Sequence, residues 1–139
     1  MKKNIVKTLN AGTFDIDYCF VLTDDEKFIN NFAKEQGYSE DDIKDLKEFY
    51  GLTYTDAKNN LMPIIWVRQK DLFSPKWVGI LSHEIAHLAI YILCEWTDVA
   101  INPTTDEVLG HLIEKITKDI ISVIYKEKKK IKIQEVNKT

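Results

Sequence analysis

"ILSHEIAHLA", residues 80 to 89, sets two histidines four apart, with a glutamate directly after the first, inside an otherwise uncharged apolar run. Ser74 and Pro75 open a predicted helix ahead of it, the serine as cap and the proline at the first helical position, where its missing N–H costs nothing. The helix is expected to run to about Cys94. At roughly 100° and about 1.5 Å per residue, His83 and His87 stand about 40° apart and one turn along, so both imidazoles reach a single point. Glu84 lies beside that point, about 100° round from His83.

Within residues 77–94 the apolar side chains point in every direction, which predicts a helix enclosed on most sides rather than an amphipathic one. Glu84 is the one formally charged residue of that span. An enclosed carboxylate with no cation beside it is costly, and a divalent metal held by the two histidines compensates it. The plainer alternative makes His83 and His87 core histidines bonded to backbone carbonyls, with Glu84 paired to a distant lysine. A bare HExxH is common by chance; the uncharged residues around and between its members favour the metal.

The 139 residues, 45% hydrophobic, fit one domain spanning 1–139 with a core that needs no staples. A formal net charge of -3 supplies no global pull toward nucleic acid or anionic membrane. The dense basic run "KEKKKIK" at 126–132 reads as a solvated helix end, frayed over about 126–139. Cys19 and Cys94 are too few for a disulfide scaffold and lack CxxC spacing, so they read as small hydrophobes in a reducing compartment. Lys7 and Asn10 interrupt the start "MKKNIVKTLN" before it can serve as an export core, and no stretch is expected to span a bilayer. The expectation is a soluble, cytoplasmic protein with no nucleic-acid or membrane partner.

Working outward, "TFDIDYCFVL" at 13–22 alternates Phe14, Ile16, Tyr18, Phe20 and Leu22 on one side, the pattern of a half-buried strand. With "NIVKTL" before it, a hairpin is predicted. "TDDE" at 23–26 predicts a helix capped by Thr23 and stopped by Gly37, and Ser39 with Asp42 predicts a second helix ending near Gly51. "NLMPIIWVRQK" at 60–70 reads as a strand that Pro63 demotes to a sheet edge, where an extended peptide can pair with it. The last helix is expected from about residue 105 to 128, with Leu109, Leu112, Ile113, Ile116, Ile120 and Val123 as its core stripe. Glu107, His111, Glu114 and Lys118 share its opposite face, which looks either at solvent or at an open cleft. Together these elements predict an α+β fold: a small mixed sheet built from strands near 5, 14–22 and 61–69, beside the two long helices.

"ILSHEIAHLA" resembles the active-site helix of zincin metallopeptidases, and the closer resemblance is to the gluzincin branch. In that branch a glutamate on a following helix is the third zinc ligand, and Glu107 in "TTDEVLGH" follows His87 after nineteen intervening residues, the thermolysin-like interval. His111 takes the place of a residue that supports a zinc-binding histidine, where an acid is more usual. The chain is also similar to compact phage- and prophage-encoded members of this class, in which an upstream strand, an HExxH helix and a "DE" helix make up nearly the whole protein. The resemblance covers roughly residues 60–125, and the HExxH core is its specific part. No metzincin glycine-histidine extension follows His87.

The resemblance implies a minimal zincin-like domain in which His83, His87 and Glu107 hold zinc, with His111 as substitute ligand. Glu107 also fits a capping box behind Thr104, in which its carboxylate bonds a backbone N–H. Two histidines and a glutamate leave a zinc position open, as catalytic sites do. Glu84 is then the general base for water attack on a peptide carbonyl, and His111 the first candidate to steady the oxyanion. The expected activity is zinc-dependent hydrolysis of a protein or peptide substrate. The alternative is a non-catalytic, zinc-stapled binding module, for example a phage accessory protein engaging a host protein.

Overall fold

A computed structural model describes residues 4–42 and 45–137. Four strands form one mixed sheet, β1 (Ile5–Asn10), β2 (Asp17–Leu22), β3 (Gly51–Asp56) and β4 (Leu61–Val67), in the order β1-β2-β4-β3. The helices are α1 (Glu26–Glu35), α2 (Pro75–Tyr91) and α3 (Asp106–Asn137). The fold is α+β in three layers. One face of the sheet packs on α2 and α3 through Tyr18, Phe20, Leu22, Ile65 and Val67; the other packs on α1 through Cys19, Val21, Ile64 and Trp66.

β1 and β2 form the expected antiparallel hairpin, with Ile5 opposite Leu22 and Asn10 opposite Asp17. The second strand is shorter than its alternation predicts, because Gly12–Phe14 forms a 3-10 turn and Asp15 takes a left-handed conformation at φ 47°. It is also buried on both faces rather than half-buried: Cys19 and Val21 are as enclosed as Tyr18 and Phe20. The reason is its interior position, parallel to β4, with α1 covering the second face.

α1 begins later than "TDDE" suggests. Asp25 is the cap, its Oδ1 accepting from the Phe28 N–H at 3.1 Å, while Thr23 Oγ1 accepts from the Asp25 N–H. Gly37 ends the helix as expected, at φ 102°, where the Lys34 and Ala33 carbonyls accept from the Gly37 and Tyr38 N–H groups.

The second helix expected before Gly51 is replaced by a 3-10 turn at Glu40–Asp42 and by irregular chain at 45–50 with a turn at 47–48; residues 43 and 44 of that expectation lie outside the described residues. Gly51 starts β3 instead of stopping a helix. A Cβ there would meet the Trp66 carbonyl oxygen and the Ile80 Cγ2 at 3.0 Å each, so the glycine permits close approach of β3 to both β4 and α2.

Pro63 does not put its strand at the edge. β4 lies between β2 and β3, and the true edge beside α2 is β3. The proline is tolerated because the β2 ladder begins only at Cys19–Ile64, while the β3 ladder is irregular between Tyr54 and Asp56, opposite the proline. Its missing N–H therefore interrupts neither run of pairs.

Ser74 and Pro75 open α2 as predicted, with Ser74 Oγ accepting from the Trp77 N–H at 3.2 Å. The helix is less enclosed than expected. Trp77, Leu81, Glu84, Ile85, Leu88 and Ala89 are buried, whereas Val78 and Ile90 stand exposed, because no layer covers its outer face. After Tyr91 the coil widens into a π-helical stretch, Ile92–Trp96. Counted together, Pro75–Trp96 is 22 residues and is long and apolar enough to cross a membrane by length and composition, contrary to the expectation that no stretch would be; here it packs on the sheet.

α3 extends past the predicted end to Asn137, through the lysine-rich run, with residues 138 and 139 outside the described part. Leu112, Ile116, Ile120 and Ile124 are its buried stripe.

Candidate metal centre

The outer face of α2 and the edge strand β3 bound a cavity of about 590 Å³. The α2 wall is His83, Glu84, His87 and, one turn on, Tyr91; β3 supplies Gly51, Thr53 and Thr55; and the π-helical stretch adds Cys94 and Glu95. A second opening of about 420 Å³, lined by Tyr50, Lys76 and Ile80, also reaches His83 and Glu84. The two openings share Phe49, Gly51, His83 and Glu84 in their walls.

Both histidines are exposed, and their Nε2 atoms lie 3.0 Å apart with the rings edge to face at 78°. In a tetrahedral centre with metal–nitrogen bonds of about 2.0–2.1 Å, two nitrogens stand about 3.3–3.4 Å apart. The helix therefore brings both nitrogens to one place, at hydrogen-bond distance from each other and slightly closer than two ligands on one ion. Neither imidazole is a core histidine bonded to a backbone carbonyl.

Glu84 is 7% exposed and, tyrosine, tryptophan and cysteine aside, one of two buried polar or charged residues in the described part. No lysine or arginine pairs with it among the described residues. Its partner is Thr53 on β3, whose Oγ1 lies 2.8 Å from Glu84 Oε1 and 3.2 Å from the Glu84 carbonyl oxygen. A carboxylate this enclosed, with one neutral donor, retains unused acceptor capacity aimed at the groove.

Glu107 and His111 are placed elsewhere. Burial of the Leu112, Ile116, Ile120 and Ile124 stripe turns residues 107, 111, 114 and 118 to solvent rather than to the groove. Glu107 Oε2 lies 3.7 Å from His111 Nε2, and Glu114 Oε2 lies 4.0 Å from His111 Nδ1, with the Glu107 and His111 side chains 87% and 75% exposed. His111 lines a separate cavity of about 430 Å³ against the β1–β2 connection, with Gly12, Phe14 and Lys115. α3 begins at Asp106, so Glu107 is its second residue rather than the third position of a box capped by Thr104. The structure thus brings together His83, Glu84 and His87, and does not bring Glu107 or His111 to them. Among the described residues no group of three or more His, Cys, Asp or Glu side chains is arranged to hold a metal ion.

Thr53 and Tyr91 were not singled out from the sequence. The alternating β-branched and aromatic residues of "GLTYTD" are the signal that identifies β3 and, with it, Thr53. Tyr91 follows His87 by four residues, the same interval that joins the histidines. Burial, ahead of the nearby Asp56 and Glu95 charges, pushes its phenol above the ordinary value.

Compared with known proteins, the chain matches no protein-family model, no curated protein and no solved structure.

Proposed function

We propose that this chain is a zinc-dependent metallopeptidase of the minimal zincin type, with a protein or peptide as substrate. The observation that carries the reading is the His83–His87 pair, with Nε2 atoms 3.0 Å apart, opening on a groove beside a buried glutamate. His83 and His87 would hold the ion. Zinc in such a setting supplies a Lewis acid that makes water acidic near neutral pH and polarises a carbonyl.

Glu84 takes the proton of the attacking water and delivers it to the leaving amine. Thr53 holds one of its two oxygens. The free edge of β3 runs along the groove and offers backbone groups to an extended peptide. Glu107 is proposed as the third ligand on the strength of the gluzincin resemblance, with His111 as its substitute and as oxyanion donor; the fold lends neither of them support at the pair.

The competing reading, a zinc-stapled binding module, draws on that placement of Glu107. Against it, structural zinc sites are closed by four protein ligands, whereas this pair faces an open groove.

The test is bound zinc and peptide cleavage in the wild type and in Glu84→Gln. Retained zinc with cleavage reduced by about 100-fold or more supports the reading. No cleavage by the wild type across a broad peptide library removes it. Zinc affinity of His83→Ala and His87→Ala is expected to fall at least tenfold, and the larger fall between Glu107→Ala and His111→Ala identifies the third ligand. If neither of these last two lowers it, neither residue is a ligand.

A further inference from the structure

The geometry points to Thr53 as the residue that positions Glu84 for proton transfer, an inference that rests on the metallopeptidase reading. β3 alternates, so Gly51, Thr53 and Thr55 reach the α2 groove while Tyr54 packs into the opposite core. Thr53 is therefore where the edge strand hydrogen-bonds the motif glutamate, two residues on from its close approach to α2 at Gly51. Its hydroxyl has one proton and two acceptors within reach, the carboxylate oxygen at 2.8 Å and the Glu84 carbonyl at 3.2 Å. The carbonyl already belongs to the α2 ladder. The shorter, charge-assisted bond to Oε1 is the stronger of the two.

Two consequences follow for Glu84. With Oε1 restrained by this bond, Oε2 has no partner among the described residues and is the oxygen left to accept the proton of water. The same bond ties the base to the strand along which an extended substrate pairs, so base and scissile carbonyl share one frame. A displacement of about 1 Å at such a group costs on the order of 100-fold in rate. Thr53 touches neither reacting atom, so it acts through Glu84 as a positioning residue.

Thr53→Val keeps the shape and strand preference and removes the hydroxyl; Thr53→Ser keeps the hydroxyl. In the full-length zinc-loaded protein, Thr53→Val is expected to lower kcat by about 10- to 100-fold with KM and bound zinc unchanged, while Thr53→Ser stays within about threefold of the wild type. In the Glu84→Gln background, Thr53→Val has no further effect on cleavage.

A second readout needs no activity. In chelator-treated protein, Thr53→Val lowers Tm by about 5 °C when Glu84 is present and by less than half of that in Glu84→Ala. Equal Tm losses in the two backgrounds, an unchanged kcat in Thr53→Val, or a Thr53→Ser variant as impaired as Thr53→Val each overturn the role of Thr53. A wild type that binds no zinc and cleaves nothing, yet shows the Tm coupling, removes the metallopeptidase reading and leaves only a structural bond.

Discussion

Buried polar groups with few partners set the chemistry at the residue scale. Tyr54 is 4% exposed, packs edge to face against Tyr38, and its phenol is pushed up to about 12 by burial. In the unfolded chain the same group titrates near 10. The folded state therefore holds this proton more tightly, so the contribution is complete below about pH 10 and is lost as pH rises toward 12. Equilibrium denaturation from pH 8 to 12 is expected to show stability falling in that upper window, with a shallower fall in Tyr54→Phe. An identical slope in the two proteins would assign the loss elsewhere. Tyr18 adds to the same trend, its phenol raised by burial first and by the Asp119 charge second. The grouping of His83, Glu84 and His87 was legible in the sequence because one helical turn contains it. The Thr53 bond was not, because its partner is 31 residues away and only the sheet brings the two together.

Gly51 shows at the element scale how a local signal reads two ways. Beside "DLKEFY" it looks like a helix stop, yet it begins β3 at a place where a Cβ meets backbone of β4 and a side chain of α2. The Trp66 carbonyl oxygen at 3.0 Å cannot swing away as a flexible side chain would. Gly51→Ala is accordingly expected to lower unfolding free energy by about 1–3 kcal/mol and, by moving β3 off α2, to reduce peptide cleavage as well. Wild-type stability by urea titration would refute the close-approach argument. Ser74 tests the opposite case, a signal that reads only one way. Loss of its cap bond to the Trp77 N–H in Ser74→Ala is expected to cost about 1 kcal/mol by the same measurement. Pro63 was misleading because its N–H is missing only relative to a neighbour, and the offset ladders that spare it depend on strands whose order the sequence leaves open.

Across the whole molecule the α+β class and the two long helices were visible as periodicity, whereas the strand order was not. β2 and β4 are parallel neighbours only because the chain carries α1 over one face and lays β3 on the far edge before returning. That return makes the sheet shared property of two cores: alternate residues of β2 and β4 enter the α2–α3 side or the α1 side, and none of the four inner residues of β2, 18–21, is more than 1% exposed. A loss of packing on either side is then felt through the same strands. Ile29→Ala beneath α1 and Ile116→Ala beneath α3 each remove a fully buried side chain and are expected to cost about 2–5 kcal/mol. Both are expected to shift one common transition, seen identically by tryptophan fluorescence, from Trp66 on one side and Trp77 on the other, and by far-ultraviolet dichroism. Two resolved transitions in Ile29→Ala would mean that the α1 layer unfolds alone. In that case β3, whose Tyr54 packs in the α1 core while its Thr53 holds Glu84, would loosen before α2 does, and peptide cleavage would fall at lower urea than helix content.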